Sequence, residues 1–458
     1  MKYRTGVLIA FLVMPLLVGA EENANVDQRF LGVEQRLKQL EDAVRSRDER
    51  IQQLESNRKR VNTYTPNLGF KVADTDKGDL NIKIFTYVRY LNQTGLDETF
   101  TDSFGTTSPI QQRQDIQLNK ANIFFTGWFL DPKFRYMTYV WTSNTSQGLG
   151  AQVVVAGNLN YNFNEHLTFG GGTDSLPGVR STEGNFPFWL GVDNRLIADE
   201  FFRPSYTFGV WAKGSVVNKL NYAIMLGNNL SQLGIDAGQM DNGLNTWSGS
   251  LTWLPSTGEF GKRGGFGDFE NHEKIATRLG LHFTRSDENK QSQPSNTDTF
   301  DNVQVKLADG NSIFKKDLFG AGIQVENATY QMTSVDAGVK YRGLSLEGET
   351  YARWVTHFRG TGADGLSNLT DTGFQIQASA MVKPETLQAY VSNSKVYGEY
   401  GDPWDARLGM NWFPWKTENA RWNFEYIQLY KSPVGGLSLP YATGGTGPVF
   451  YSNFMISF

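Results

Sequence analysis

The chain has 458 residues, no cysteine and a formal net charge of −4, a balance that offers nothing to a nucleic-acid partner. The missing cysteines are compatible with an oxidising compartment without arguing for one. After residue 20 no apolar run is long enough for a membrane-spanning helix.

Mean hydropathy is −0.41, yet there are 31 Phe, 19 Tyr, 11 Trp and 48 Gly. A low average with many aromatics and glycines fits a transmembrane β-barrel, where half of each strand faces lipid and half faces water. Composition alone fits a soluble all-β protein equally well.

The N-terminus reads as a secretory signal over residues 1–20. Lys2 and Arg4 form its positive end, Val7 to Val18 its apolar core with Pro15 inside, and Val18-Gly19-Ala20 a small-residue cleavage site. The apolar stretch is short for an anchor, so the mature chain is expected to start at Glu21. Residues 21–60 form a separate unit. Phe30, Leu37, Val44 and Ile51 recur every seven residues, with Val33, Leu40 and Leu54 at the alternate position and Arg47 as one break. This heptad pattern predicts a coiled coil in the periplasm; the other reading is one amphipathic helix lying on a barrel or a membrane. Residues 61–80 read as a linker, polar from Asp74 to Asp79.

From Asn81 to Phe458 the pattern is strand, turn, strand, loop. Ile82, Ile84, Val88 and Tyr90 alternate with Lys83 and Arg89. Ala121, Ile123 and Phe125 alternate with Lys120, Asn122 and Thr126 before a tight turn at Asp131-Pro132. Leu251 to Leu254 ends at Pro255. Leu408, Met410 and Trp412 alternate with Arg407 and Asn411, and after a turn at Pro414 Trp422, Phe424 and Tyr426 alternate with Arg421, Asn423 and Glu425. These are antiparallel hairpins. Tight turns alternate with long polar loops at 92–114, 170–205, 285–315 and 359–371, the two-sided signature of an outer-membrane barrel. At about 9–11 residues per tilted strand, residues 81–458 accommodate about 16–18 strands. Phe129, Trp404, Trp412, Trp415 and Trp422 fall near strand ends, where interfacial aromatic girdles are expected. The last run places Phe450, Phe454, Ile456 and Phe458 on one face, and a terminal aromatic strand of this kind resembles the closing strand and assembly signal of outer-membrane barrels.

Residues 186–214, FPFWLGVDNRLIADEFFRPSYTFGVWAKG, follow Gly170-Gly171-Gly172 and Leu176-Pro177-Gly178-Val179-Arg180. With Phe125-Thr126-Gly127, the turn at Asp131-Pro132 and the segment holding Arg195, Phe201, Phe202, Arg203 and Pro204, this order resembles the phosphate-selective porin O/P family, over most of residues 26–458. The resemblance implies a homotrimer of 16-stranded barrels, each with its own pore narrowed by an inward loop, folded with the barrel-assembly machinery among outer-membrane lipids and lipopolysaccharide. It makes 170–205 the constriction loop and Arg180, Arg195 and Arg203 its anion-attracting residues. Alternation adds Lys83, Arg89, Arg407 and Arg421 as lumen-facing cations, since basic side chains in a narrow channel focus a positive potential. The other reading pairs these cations with Asp193, Asp199, Glu200 or Glu425 as ordinary wall residues. The chain departs from the phosphate pattern in lacking a dense arginine ladder.

His166, His272, His282 and His357 sit in no Gly-x-Ser-x-Gly elbow and no His-Glu-x-x-His helix, which argues against an enzyme. Asp268 to Glu273 gathers oxygen ligands, but the spacing matches no calcium loop and suits a solvated turn. The expected function is passive diffusion of small hydrophilic solutes, leaning to small anions, with no cofactor. The alternatives are a structural tether, its coiled coil reaching toward peptidoglycan, and a soluble secreted β-protein.

Overall fold

The computed structural model describes residues 20–61, 63–143, 152–184, 186–231, 243–290, 305–436 and 439–458. The expected signal segment lies outside them except for Ala20. The chain divides into two compact units, Met1–Arg60 and Val61–Phe458.

In the first unit α1 (Ala20–Arg60) is one continuous helix. Glu, Gln, Leu and Arg are strong helix formers, and α1 contains no proline. Val33, Leu37, Leu40 and Val44 are all more than half exposed. The heptad stripe is therefore a bare seam; an isolated helix of this kind is marginal in water.

The second unit is built on one hydrogen-bonded sheet of eighteen strands, of which sixteen close into an antiparallel barrel. In chain order they are β1 (Gly78–Asn92), β2 (Gln114–Phe129), β3 (Asp131–Ser143), β4 (Gln152–Asn164), β5 (Leu167–Ser175), β6 (Tyr206–Val217), β7 (Leu220–Gly227) and β8 (Thr246–Trp253). Then come β9 (Ala276–Asn289), β10 (Gln324–Tyr341), β11 (Leu344–Thr361), β12 (Leu369–Lys383), β13 (Leu387–Tyr397), β14 (Trp404–Trp412), β15 (Ala420–Tyr430) and β16 (Gly447–Ser457). Each pairs with its neighbour in sequence, and β16 closes on β1 from Phe450↔Asn92 to Ser457↔Phe85. Closure removes every free edge, which a sheet immersed in lipid requires.

The two remaining strands, Tyr64–Thr65 and Gly69–Thr75, occupy the segment expected to be a linker. The reason lies in the register. β16 stops opposite Phe85, so the start of β1 would present an unpaired edge; Gly69–Thr75 fills it, from Phe70↔Ile82 to Thr75↔Gly78.

The period-two pattern sorts the faces as its physics requires. On β1, Lys83, Phe85, Tyr87, Arg89 and Leu91 point inward and are buried, while Val88 is 43% exposed. On β16, Tyr451, Asn453 and Met455 point inward, and Phe450 and Phe458 outward. Outward aromatics stack at the strand ends: Trp412 lies 6.4 Å from Trp422, which meets Phe454 at 5.7 Å. At the opposite end Trp404 stacks on Tyr430 at 6.0 Å.

Both barrel termini emerge at one end, with the short turns; the long loops gather at the other. The loop boundaries differ from expectation in two ways. Gly170, Gly171 and Gly172 belong to strand β5, not to a loop. A Cβ at Gly170 would lie 2.3 Å from Asn160 Oδ1 and from Trp211 Nε1, so glycine there lets Trp211 cross the strand and donate to Asn160 at 2.9 Å. Second, the connection between β8 and β9, residues 254–275, lies at the turn end yet is long.

Candidate functional site

The barrel lumen is the site, and residues 176–205 shape it. This loop leaves β5, turns through a short 3-10 helix at Arg180–Thr182 and the helix α2 (Ile197–Phe202), and returns to β6. Nearly all its described residues are buried. Its backbone is clamped by inward side chains of the wall. Arg421 Nη2 donates to the carbonyls of Pro187 and Trp189 at 2.9 and 2.7 Å, and Asn411 Nδ2 to that of Leu190 at 3.0 Å. Arg407 Nη2 donates to the Arg195 carbonyl at 2.6 Å. Tyr330 donates to the Phe202 carbonyl at 2.5 Å, and Ser394 accepts from the Ala198 amide at 3.0 Å. Phe202 stacks on Tyr351 at 5.0 Å. These partners all lie on β10 to β15, so the loop is pressed onto that half of the wall.

The three arginines assigned to the constriction take different places. Arg180 is 1% exposed; its guanidinium pairs with Glu347 and sits 4.3 Å over the Phe266 ring. Arg203 is fully buried and forks onto Glu200, Nε to Oε2 at 2.9 Å and Nη2 to Oε1 at 2.6 Å. Both hold the loop in shape rather than face its aperture. Arg195 alone of the three lines the open lumen; it stacks 4.1 Å over Trp189 and lies 3.6 Å from Glu200 and 3.8 Å from Asp199.

The wall cations divide likewise. Arg407 binds Asp405 at 2.6 Å and Glu425 at 3.3 Å, and Arg421 serves the loop backbone. Arg89 is inward and fully buried. Lys83 lines a cavity, 6.0 Å from the Phe124 ring centroid, with no ion-pair partner among the described residues.

What the loop leaves open is a cavity of about 230 Å³ against β1, β2 and β3. It runs from Asn67 at the turn end to Leu439 in the last long loop. Lys83, Lys120 and Arg195 face it together with Phe124, Trp141 and Trp189. Lys120 pairs with Asp193 at 2.5 Å, and Asp193 also accepts from Tyr87 at 2.8 Å. Sequence reasoning named Lys120 as a polar position of its strand and Asp193 as a partner for wall cations, without joining the two. The inward position of Lys120 was legible from alternation; its pairing across the lumen to the loop was not.

Residues 254–275 fold into the same lumen from the turn end. Lys340 Nζ, inward on β10, donates to the Phe260 and Gly265 carbonyls at 2.9 and 2.5 Å. The Phe266 amide donates to the Phe188 carbonyl at 2.8 Å, and Phe269 packs on Phe413 at 4.8 Å. Asp268, Glu270 and His272 come within 4.8 Å of one another. Their groups are already spent, however. The His272 ring nitrogens meet Asp268 and Glu259, and Asp268 accepts from the Gly343 amide at 2.7 Å.

One loop carboxyl is tuned near neutrality. Burial raises Asp199 to about 7, against the opposing pull of Arg195. Below that pH Asp199 is neutral and the Arg195 charge is less compensated. If the loop governs ion passage through the lumen, the anion-to-cation permeability ratio rises as pH falls from about 8 to about 6. Reversal potentials across that range check this, with Asp199→Asn expected to flatten the dependence.

No protein-family model matches the chain, and no curated protein matches it. Among solved structures it is similar to outer-membrane expressed OmpT of Vibrio cholerae, with a TM-score of 0.52 and 9% identity over 84% of this chain and 99% of that one. It is also similar to an anion-selective porin from Comamonas acidovorans, with a TM-score of 0.50 and 10% identity over 83% of this chain and 100% of that one. These likenesses are of fold. They extend to outer-membrane porins as an architecture and do not single out the phosphate-selective family.

Proposed function

We propose that the chain is an outer-membrane porin, a water-filled channel for passive diffusion of small hydrophilic solutes with a preference for small anions. The observation that carries this reading is the cavity left between the inward loop and β1–β3, where Lys83, Lys120, Arg195 and Arg263 outnumber the carboxylates Asp174, Asp193 and Glu200. In a narrow lumen with low-dielectric walls such charges raise the local concentration of counter-ions. The barrel's outward apolar face with aromatic belts at both ends suits a bilayer. The turn end then faces the periplasm, with α1 as a periplasmic coiled coil whose bare heptad seam asks for partner helices. A homotrimer, each barrel with its own pore, supplies them.

Phosphate specificity does not follow. Of the three loop arginines, two are neutralised by buried glutamates.

The test is single-channel conductance in a planar bilayer, with reversal potential under a salt gradient. Steps in groups of three with anion preference are expected. Cation preference leaves the porin and removes the anion reading; silence from an inserted barrel leaves a membrane anchor for the helical tether.

A further inference from the structure

A strand-to-strand turn at the terminal end of such a barrel needs only a few residues, as the others show: Leu130 alone joins β2 to β3, and Arg342-Gly343 joins β10 to β11. Residues 254–275 exceed that need and are turned inward, held by Lys340 and by contact with the loop from the opposite end. At their tip stands Arg263, within the 3-10 turn Lys262–Gly264. Its backbone is left-handed, φ 51° and ψ 24°, a conformation that costs a non-glycine residue energy and persists only where the surroundings impose it.

Arg263 differs from the other arginines of the lumen. Arg180, Arg203 and Arg407 are buried against carboxylates. Arg263 has no carboxylate within ion-pair distance among the described residues, and Asp174 of the same junction acts on it only at longer range. Its position is also particular. It lines the cavity beside β1–β3 and, equally, a second cavity of about 620 Å³ that opens at the turn end between β5 and β9. The two share Asp174, Ser175, Gly184 and Arg263. Across this junction a side chain at Gly184 would come within 3.8 Å of Arg263 Nη2, so loop and turn nearly meet there. Lys83, likewise without an ion-pair partner among the described residues, lines the first cavity on the facing wall.

We infer that Arg263 is a charge-selecting residue of the permeation path, delivered from the turn end as a second constriction in series with the inward loop. This rests on the channel reading above. An anion leaving the first cavity meets Arg263 before it reaches the wider one. The extended turn puts a guanidinium there that no carboxylate among the described residues holds in an ion pair, and the confining walls strengthen its field.

The experiment is the reversal potential of Arg263→Glu and Arg263→Gln beside wild type in planar bilayers under a salt gradient. Heat-modifiable gel migration serves as the folding control. The anion-to-cation permeability ratio should fall about three- to tenfold for Arg263→Glu, the low end of what a focused charge does to local counter-ion concentration, and by less for Arg263→Gln. Because the chain has no cysteine, Arg263→Cys carries a single thiol. A cationic thiol reagent added on the turn-end side should restore wild-type selectivity, and an anionic one should mimic Arg263→Glu. Folded, conducting variants with wild-type reversal potentials, and a thiol whose modification changes nothing, overturn the inference and leave the porin standing. A wild-type barrel that inserts without conducting removes the porin and this inference together.

Discussion

Arg407→Ala should destabilise the folded barrel by about 3–5 kcal/mol, the usual result of removing one partner from a buried ion pair. The guanidinium is 5% exposed and has two carboxylates, Asp405 at 2.6 Å and Glu425 at 3.3 Å, plus the Arg195 carbonyl at 2.6 Å. Alanine leaves both carboxylates with reduced compensation in a confined space and frees one end of the inward loop. A second effect follows: surviving channels should show larger and noisier conductance, because the constriction has lost a clamp beside Arg195. Arg407→Lys keeps the charge but not the planar fork, and should fall between the two. Chemical denaturation of the detergent-folded barrel gives the first readout and single-channel recording the second. Wild-type stability with unchanged conductance would show that the loop is held without this residue.

Removal of Phe458 should cut the amount of assembled barrel in cells several-fold. Phe458 lies at the seam where the last strand meets the first. Its amide donates to the Ile84 carbonyl at 2.9 Å, its carbonyl accepts from the Ile84 amide at 2.6 Å, and its ring packs edge-on against Phe70 at 6.4 Å. The truncated chain loses these seam contacts and the outward terminal aromatic proposed as the assembly signal. The two contributions separate in the test tube: refolding of the purified truncated chain into detergent should proceed with modest loss, whereas surface levels in cells should drop steeply. Normal surface levels would remove the assembly role.

Much of the barrel was readable because its chemistry is local. Ile82, Ile84 and Val88 against Lys83 and Arg89 give the face of β1 directly, since successive side chains of a strand point to opposite faces. The same holds for Arg407 and Arg421 opposite Leu408 and Trp422. What alternation cannot give is the partner of an inward charge. Arg180 and Arg203 looked like Arg195 in the sequence, yet Glu347 stands far along the chain and Glu200 is brought round by α2. The glycine run at 170–172 read as a loop because the tryptophan that requires its missing side chains lies on the next strand. Arg263 stands in a stretch of glycines and charges that alternation does not orient, and only the inward fold of 254–275 brings it to the lumen.

By itself the sequence determined the strand faces, the aromatics at the strand ends, the separate helical unit and the general strand count, all consequences of side-chain periodicity. Only the tertiary structure decided which cations are held in ion pairs, and that segments from both ends of the barrel fold into the lumen. Those outcomes depend on distances between residues remote in the chain, and burial settles charge by pairing it wherever a carboxylate is within reach.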